Sequence, residues 1–265
     1  MQDTKNTSFE VGIALSGGGA RGIAHLGVLK ALEERGIKPQ IIAGVSAGSI
    51  IGSLYSAGLP IPDILKLFDN CKFSDMAEIS VPKDGFFKID RFKKILREVL
   101  PVTNLEELPI PMYICATDID HGCTKIFDSG SIVERIAASC SIPVIFKPTR
   151  IDGVNYVDGG VLRNLPAWAI RPKCNHLIGV NCSPFVNHKI KSSIIEIAQR
   201  SYELMSKVNT VMDMKMCDTL ILIKTIAHHK SLDTKNLQKI FECGYSEACR
   251  VLDSAEKSDF NDFLI

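Results

Sequence analysis

The segment GVSAG at residues 44–48 places a serine between two glycines in a G-x-S-x-G pattern. A short apolar run precedes it, and a stretch with helical character follows it. At a sharp strand-to-helix turn of this kind the serine hydroxyl is exposed, and the start of the helix stabilises negative charge beside it. Ser46 is therefore the candidate nucleophile. Ser49 and Ser53 fall on the following helix, and we expect both to be packing residues.

A second glycine-rich loop, GGGARG at residues 17–22, lies between a predicted strand and a predicted helix. It satisfies the dinucleotide-binding pattern G-x-G-x-x-G. That pattern also requires an acidic residue after the second strand to hold the ribose hydroxyls, and none stands there. Amides at a helix start can instead bind an oxyanion during acyl transfer. The candidate oxyanion-binding residues are Gly17, Gly18 and Gly19, and a nucleotide-binding module that uses the Gly17–Gly22 loop is the alternative.

Two kinds of residue could activate the serine. Asp158 ends a predicted strand and precedes two glycines, and a carboxylate placed there could act as general base. Asp-Gly is also an ordinary turn sequence, which on this motif alone is the simpler interpretation. A histidine base would come from His228 or His229, as the chain order of an α/β-hydrolase requires. These two histidines fall in a polar loop, and the Ser46 turn follows only the second predicted strand.

The elements that must position these residues follow an α/β order. The first 58 residues predict a strand (11–16), the glycine loop, a helix (22–35), a strand (40–45) and a helix (47–57). This order is typical of a parallel sheet covered by helices. Further strands are predicted at 112–118, 124–128, 156–161, 176–181 and 219–224, and long helices at 194–214 and 234–252. Without a repeat or linker, we expect one domain over residues 11–265 after an extension over residues 1–10.

Composition and charge narrow the classes of function. The chain has 265 residues, of which 46% are hydrophobic and 23% charged, as in globular proteins. Its 31 basic and 30 acidic residues leave a net charge of +1, so we expect no nucleic-acid partner. The nine cysteines are dispersed and no secretion signal precedes them, which predicts a cytoplasmic protein. No group of residues has zinc-ligand spacing, so neither a metal nor another cofactor is expected.

One uncharged window, residues 41–62, has a glycine at every fourth position from 44 to 52, as in some membrane-spanning helices. The same window contains several serines and lacks flanking anchors, so a membrane span is not the favoured interpretation.

Taken in order, the motifs resemble the patatin-like phospholipase family. The resemblance covers about residues 11–181. Besides the two glycine motifs and Asp158-Gly159-Gly160, it includes Ala116-Thr117-Asp118, Ala138-Ser139, Ile142-Pro143, Phe146 and Pro148.

This resemblance implies a three-layer α/β/α fold with a mostly parallel central sheet. It also implies a catalytic dyad of Ser46 and Asp158, with the oxyanion bound by the amides of residues 17–19. Arg21 matches a basic position of the family, where it either braces the loop or meets substrate phosphate; we favour bracing. The implied activity is hydrolysis of acyl esters of phospholipids or related lipids. The alternative class is a non-enzymatic or nucleotide-binding module.

A basic and apolar segment follows at residues 86–97. Its basic and apolar residues fall on different faces of a predicted helix. The basic residues are Lys88, Arg91, Lys93, Lys94 and Arg97, and the apolar residues are Phe86, Phe87, Ile89, Phe92, Ile95 and Leu96. Such a helix could make transient contact with an anionic membrane surface, although a solvated surface helix is the commoner outcome. We expect core packing for Met205, Met212, Met214 and Met216. The oligomeric state stays open.

Overall fold

The computed structural model describes residues 8–69, 78–79, 87–184, 193–229 and 236–254. The strands are β1 (Phe9–Leu15), β2 (Ile41–Val45), β3 (Glu78–Ile79), β4 (Phe87–Lys88), β5 (Met112–Asp118), β6 (Cys123–Phe127), β7 (Thr149–Ile151), β8 (Val154–Asp158), β9 (Cys174–Asn181) and β10 (Thr219–Leu222). The α-helices are α1 (Ala24–Glu34), α2 (Ala47–Ser56), α3 (Ile61–Asp69), α4 (Asp90–Val99), α5 (Ile132–Cys140), α6 (Ala167–Ile170), α7 (Ile194–Val208), α8 (Val211–Met214) and α9 (Leu237–Ser254). Strand β1 begins at Phe9, two residues before the predicted start of this strand at residue 11.

The main sheet of the described chain has the strand order β10-β9-β1-β2-β5-β8-β7, and β6 also pairs with β5. The five strands from β10 to β5 are parallel. Strands β6 and β8 run antiparallel to β5, and β7 runs antiparallel to β8. The predicted mostly parallel sheet is therefore confirmed for one side, while the other side is antiparallel.

Alternate residues of the parallel strands face two separate apolar clusters. Ile13 and Leu15 of β1 join a large cluster with side chains of α1, α2, α5 and α9. Ala14, between them, joins a smaller cluster with Ala167 and Ile170 of α6. Side chains of successive strand residues point to opposite faces, so both faces of the sheet are covered. This arrangement confirms the three-layer α/β/α fold.

Strands β2 and β8 meet end to end along one edge of β5. Strand β6 occupies the other edge along residues 114–118. On the shared edge, Val45 at the end of β2 faces Cys115, and Asp158 at the end of β8 faces the next residue, Ala116. Because the two strands run in opposite directions, their carboxyl ends converge. The residue after β2 and the last residue of β8 are thereby brought together.

Helices α1 and α9 cross with their backbones in close contact. A Cβ atom on Gly27 of α1 would overlap the Phe241 carbonyl oxygen, and one on Gly244 of α9 would overlap the Ala24 carbonyl oxygen. Any larger residue at either position would push the helices apart. The crossing fixes α9 against α1, and through α1 against the sheet.

Residues 41–62 are divided between β2, α2 and the start of α3. This division excludes a single membrane-spanning helix over that window. No helix in the described ranges is both long enough and apolar enough to cross a membrane.

The basic helix α4 has its apolar face in the core. Phe92 and Leu96 are buried there, while Lys93 and Arg97 form ion pairs with Glu134 of α5 at 2.8 and 3.0 Å. The apolar face of this helix is thus covered by protein, and contact of its basic face with a membrane stays a prediction. Phe86 and the side chains at 87–88 lie outside the described residues.

Candidate active site

Ser46 sits at the turn between β2 and α2 in a strained backbone conformation, with φ 50° and ψ −122°. Positive φ is uncommon for a residue with a side chain and is characteristic of functional turns. The Ser46 amide donates to Ser139 Oγ at 2.8 Å, and Ser139 Oγ in turn donates to the Cys115 carbonyl at 2.7 Å. A Cβ atom on Gly48 would overlap the Leu15 carbonyl oxygen of β1, so glycine is required where α2 starts. These contacts fix the serine at the carboxyl end of the sheet.

The glycine loop packs directly against Ser46. A Cβ atom placed on Gly17 would lie 3.2 Å from Ser46 Cβ. The Gly17 amide, however, donates to the Asn164 carbonyl at 3.1 Å. This corrects the expectation that all three glycine amides are available to an oxyanion. Within the described chain the amides of Gly18 and Gly19 have no acceptor, and Gly19 begins a short 3₁₀ helix with φ 59°.

Asp158 is fully buried at the end of β8. Its Oδ1 accepts from the Gly160 amide at 2.8 Å, while Oδ2 lacks a hydrogen-bond partner within 3.5 Å among the described groups. Burial raises the pKa of this carboxyl to about 6, against the opposing effect of the nearby Ser46 hydroxyl, the Gly160 amide and the Tyr202 hydroxyl. Thr117 Oγ1 donates to the Asp158 carbonyl at 3.1 Å and holds the backbone in place. The structure thus brings the two predicted residues together.

Helix α7 supplies contacts to the Asp158 loop that sequence reasoning missed. The Tyr202 hydroxyl lies against Gly160, where a Cβ atom would overlap it. Asn209, just after α7, donates from Nδ2 to the Gly160 carbonyl at 3.1 Å and accepts from the Asn164 amide at 3.0 Å. The predicted helix 194–214 is broken at this point into α7 and α8. No local sequence pattern marks these residues, because their contacts join segments 49 positions apart.

A buried ion pair reinforces the same junction. Asp213 of α8 is fully buried and accepts two hydrogen bonds from Arg163, at 3.0 and 2.5 Å. Burial raises the pKa of Asp213, and Arg163 opposes that rise. Removing one member would leave a buried charge without its partner, which costs several kcal/mol in typical proteins.

Arg21 links the glycine loop to the segment that carries His228 and His229. Arg21 is buried, and its Nε donates to the His229 carbonyl at 2.7 Å; burial lowers the pKa of its guanidinium. His228 is exposed. His25 is buried, with Nε2 at 2.8 Å from the Ser16 carbonyl and 3.4 Å from Cys182 Sγ. Within the described residues no histidine forms a hydrogen bond with Ser46 or Asp158.

A cleft opens above Ser46 and the glycine loop. Its walls carry Ile142 and Ile145 on one side and polar residues of α7 on the other; the lining residues are Gly17, Gly18, Gly19, Ser46, Ile142, Ile145, Asn164, Ser183, Gln199, Tyr202, Glu203 and Ser206. No cluster of metal-ligating side chains occurs in the part of the chain that the structure describes.

A strained serine beside unpaired backbone amides and a buried carboxyl is an arrangement typical of serine esterases. The family model of patatin-like phospholipases matches residues 13–170, which is more than half of the chain. The chain therefore belongs to the patatin-like phospholipase family.

Among its relatives, an uncharacterised NTE family protein of Mycobacterium tuberculosis is 34% identical over 172 residues, covering 61% of this chain and 45% of the relative. The neuropathy target esterase sws of Drosophila melanogaster is 32% identical over 171 residues, covering 61% of this chain and 12% of that esterase. The chain thus matches less than half the length of either relative. In three dimensions it resembles VipD from Legionella pneumophila with a TM-score of 0.52 at 17% identity, covering 94% of this chain and 67% of VipD. That likeness supports the fold.

Proposed function

We propose that the protein is a serine esterase that hydrolyses acyl esters of phospholipids or related lipids through a dyad of Ser46 and Asp158. The observation that carries the proposal is the end-to-end meeting of β2 and β8, which places a strained serine next to a buried carboxyl. Family membership supports an acyl hydrolase, and one relative is named an esterase.

In the first step Asp158 Oδ2 accepts the hydroxyl proton of Ser46 while Ser46 Oγ attacks the ester carbonyl carbon. The resulting tetrahedral intermediate collapses when the C–O bond to the leaving alcohol breaks and the alcohol takes the proton from Asp158. Water then attacks the acyl-serine with Asp158 again as base, which releases the fatty acid and restores Ser46. A carboxyl whose pKa is about 6 is ionised at neutral pH and is a better base than one with an ordinary pKa.

The charge that develops on the carbonyl oxygen is stabilised by the amides of Gly18 and Gly19. Both amides lack an acceptor in the described chain, and both residues line the cleft next to Ser46. Preorganised amides of this kind stabilise the transition state because they need no reorientation during the reaction. Arg21 braces the loop by its bond to the His229 carbonyl and does not bind substrate.

The cleft suits an ester with an apolar acyl chain. Ile142 and Ile145 offer an apolar wall to the chain, and Gln199 and Glu203 offer polar groups to the rest of the substrate.

The dyad mechanism needs no metal, so dialysis against EDTA should leave hydrolysis of a soluble short-chain ester unchanged. Loss of that activity, restored by one specific metal, would contradict the mechanism.

Nucleotide binding is the less supported alternative. The Gly17 amide is occupied by Asn164, and the residue that follows β2 is Ser46 rather than the carboxylate that a ribose requires. Tight binding of NAD to the wild-type protein by calorimetry would reverse this ranking.

A fluorophosphonate probe tests the proposal directly, because it reacts with activated serines. We expect one adduct at Ser46, and Ser46→Ala should lower kcat by ~10⁴-fold or more, as removal of other catalytic serines does. Ser53→Ala is the matched control: Ser53 is buried on the same helix and its hydroxyl has no partner among the described residues. Adducts at Ser49 or Ser53, or retained hydrolysis in Ser46→Ala, would overturn the assignment.

A further inference from the structure

Helices α7 and α8 carry a stripe of exposed apolar side chains, interrupted by the exposed Ser201. Ile194, Val208 and Met212 are 83%, 76% and 63% exposed. The stripe, here called the outer face, comprises Ile194, Ile197, Leu204, Met205, Val208, Val211 and Met212. The three- and four-residue spacing places these side chains on one side of the helical segment. Core packing, expected for the methionines, is wrong for Met205 and Met212.

The opposite face of α7 forms part of the cleft wall. Gln199, Tyr202, Glu203 and Ser206 point toward the candidate active site and alternate along α7 with residues of the outer face. The outer face is therefore continuous with the cleft wall around a single helix.

A second apolar side chain is exposed across the cleft. Val144 is exposed and has a φ of 70°, a conformation that is strained for a β-branched residue. It lies between Ile142 and Ile145, which form the other cleft wall. Both segments that line the cleft thus also present apolar groups to solvent.

The exposed charge in the segment of α7 and α8 is positive. In the described segment 193–215 none of the acidic residues is exposed: Glu203 pairs with Arg200, Asp213 pairs with Arg163, and Glu196 is half-buried. The exposed charged residue of this segment is Lys215, a cation at the end of the outer face. An apolar stripe that ends in a cation and lacks exposed acids matches an anionic lipid surface.

We propose that the outer face of α7 and α8 is the surface by which the protein docks on an anionic lipid bilayer. The proposal rests on the proposed function, because it assumes that the substrate is drawn from the bilayer. Large exposed apolar patches mark interaction sites in soluble proteins, and this patch borders the cleft that the lipid must enter. Docking buries the outer face and shortens the path of an acyl chain to Ser46.

The experiment measures binding to vesicles without requiring turnover. Ser46→Ala protein is mixed with phosphatidylcholine vesicles that contain or lack phosphatidylglycerol, and the bound fraction is measured by flotation. The test variant adds Ile197→Gln, Val208→Gln and Met212→Gln to this background. Two controls add Ile119→Gln, an exposed apolar residue between two aspartates on the β5–β6 turn, or Lys94→Gln on the basic helix α4. Circular dichroism and the melting temperature check the fold of each protein.

We expect the triple variant to lower the partition coefficient at least ~10-fold and both controls to lower it less than ~2-fold, because the lost insertion energy is apolar. Binding should persist in part at high salt, which screens charge but not apolar contact. Equal binding of the triple variant and its parent, or a large loss in Lys94→Gln alone, would overturn the proposal. So would a concentration-dependent dimer by analytical ultracentrifugation that the triple variant abolishes, if vesicle binding is absent.

Failure of the proposed function has a different signature. In that case the wild type hydrolyses neither soluble nor vesicle esters, while vesicle binding still depends on the outer face. If the docking surface alone is wrong, the triple substitution in wild-type Ser46 protein leaves hydrolysis of both soluble and vesicle esters unchanged.

Discussion

Ser46 is positioned by its neighbours along the chain, whereas Asp158 is positioned by distant segments. The φ of 50° at Ser46 arises within the GVSAG turn, and its main tertiary support is a single bond to Ser139. Asp158 depends on β5 for its register, on burial for its pKa and on Tyr202 and Asn209 for the loop that follows it. A nucleophile can thus be specified by a short motif, while its base needs the assembled fold.

The largest effect is expected for Asp158→Asn, which should lower kcat while it raises the stability of the fold at neutral pH. The change keeps the shape of the side chain and removes the base, so kcat should fall by ~10³-fold or more. Because the folded protein raises the pKa of Asp158 to about 6, ionisation at neutral pH destabilises the fold. This loss in the free energy of unfolding is absent below the ordinary pKa of about 4 and grows as the pH rises to about 6. At ~1.4 kcal/mol per pKa unit, it reaches about 3 kcal/mol.

Thermal melting of Asp158→Asn and wild type at several pH values measures this effect. The variant should be the more stable protein above pH ~6, and the two should converge near pH ~4. A variant that is less stable than wild type at pH 7 would show that the carboxylate is a structural group.

Gly18→Ala tests the glycine loop, the part of the site that is positioned by its neighbours along the chain. Alanine keeps the backbone amide but should displace it, and misplacement of an oxyanion donor should lower kcat by up to ~10²–10³-fold. A Cβ atom on Gly18 would also lie 2.6 Å from Cys182 Sγ, so the single variant should lose stability as well. Adding Cys182→Ala removes the sulfur atom that obstructs the new Cβ. If the double variant regains both its melting temperature and its activity, packing rather than loss of the oxyanion site explains the single variant.

Tyr202→Phe tests the contact from the distant helix α7 to the Asp158 loop, and its expected effect is smaller. The hydroxyl lowers the pKa of Asp158, so its removal should raise that pKa and move the acid limb of the kcat/KM profile to higher pH. The loss in kcat at neutral pH should stay within about tenfold, because the hydroxyl lies near Asp158 without a hydrogen bond to Oδ2 within 3.5 Å. An unchanged pH profile would mean that the contact is structural only.

The smallest effect is expected for the His228→Ala and His229→Ala double variant. Arg21 bonds the backbone carbonyl of His229, which alanine preserves. Activity should change less than about tenfold, far from the loss expected for a catalytic base. If the folded double variant is as inactive as Ser46→Ala, the dyad is wrong and a histidine completes a triad.

Residues with local roles were predictable from the sequence. The Ser46 turn, the glycine loop and the strands around them follow from spacing and flanking glycines, which act within a few residues. Asp158 could be named as a candidate from its motif, but only the resemblance favoured it as the base, since an Asp-Gly-Gly turn alone has an ordinary explanation. The roles of Tyr202, Asn209 and Asn164 could not be predicted, because each depends on which distant backbone it meets.

The apolar faces of two helices show the same limit. The spacing in α4 and in α7 reveals an apolar side in each case, yet spacing does not say what covers it. Phe92 and Leu96 of α4 are buried in the core, whereas Val208 and Met212 of α7 are exposed. The neighbouring elements decide the outcome, and they are specified elsewhere in the chain.

The position of β1 in the sheet has a consequence for biosynthesis. β1 acquires one neighbour early, when β2 leaves the ribosome, but its other neighbour, β9, begins only at Cys174. Until β9 has been synthesised, the nascent chain therefore carries a central strand with one unpaired edge, and such an edge invites association with other chains. Helix α1 likewise waits for α9, whose Gly244 is the counterpart of Gly27. The crossing of α1 and α9 thus forms only after α9 has emerged from the ribosome.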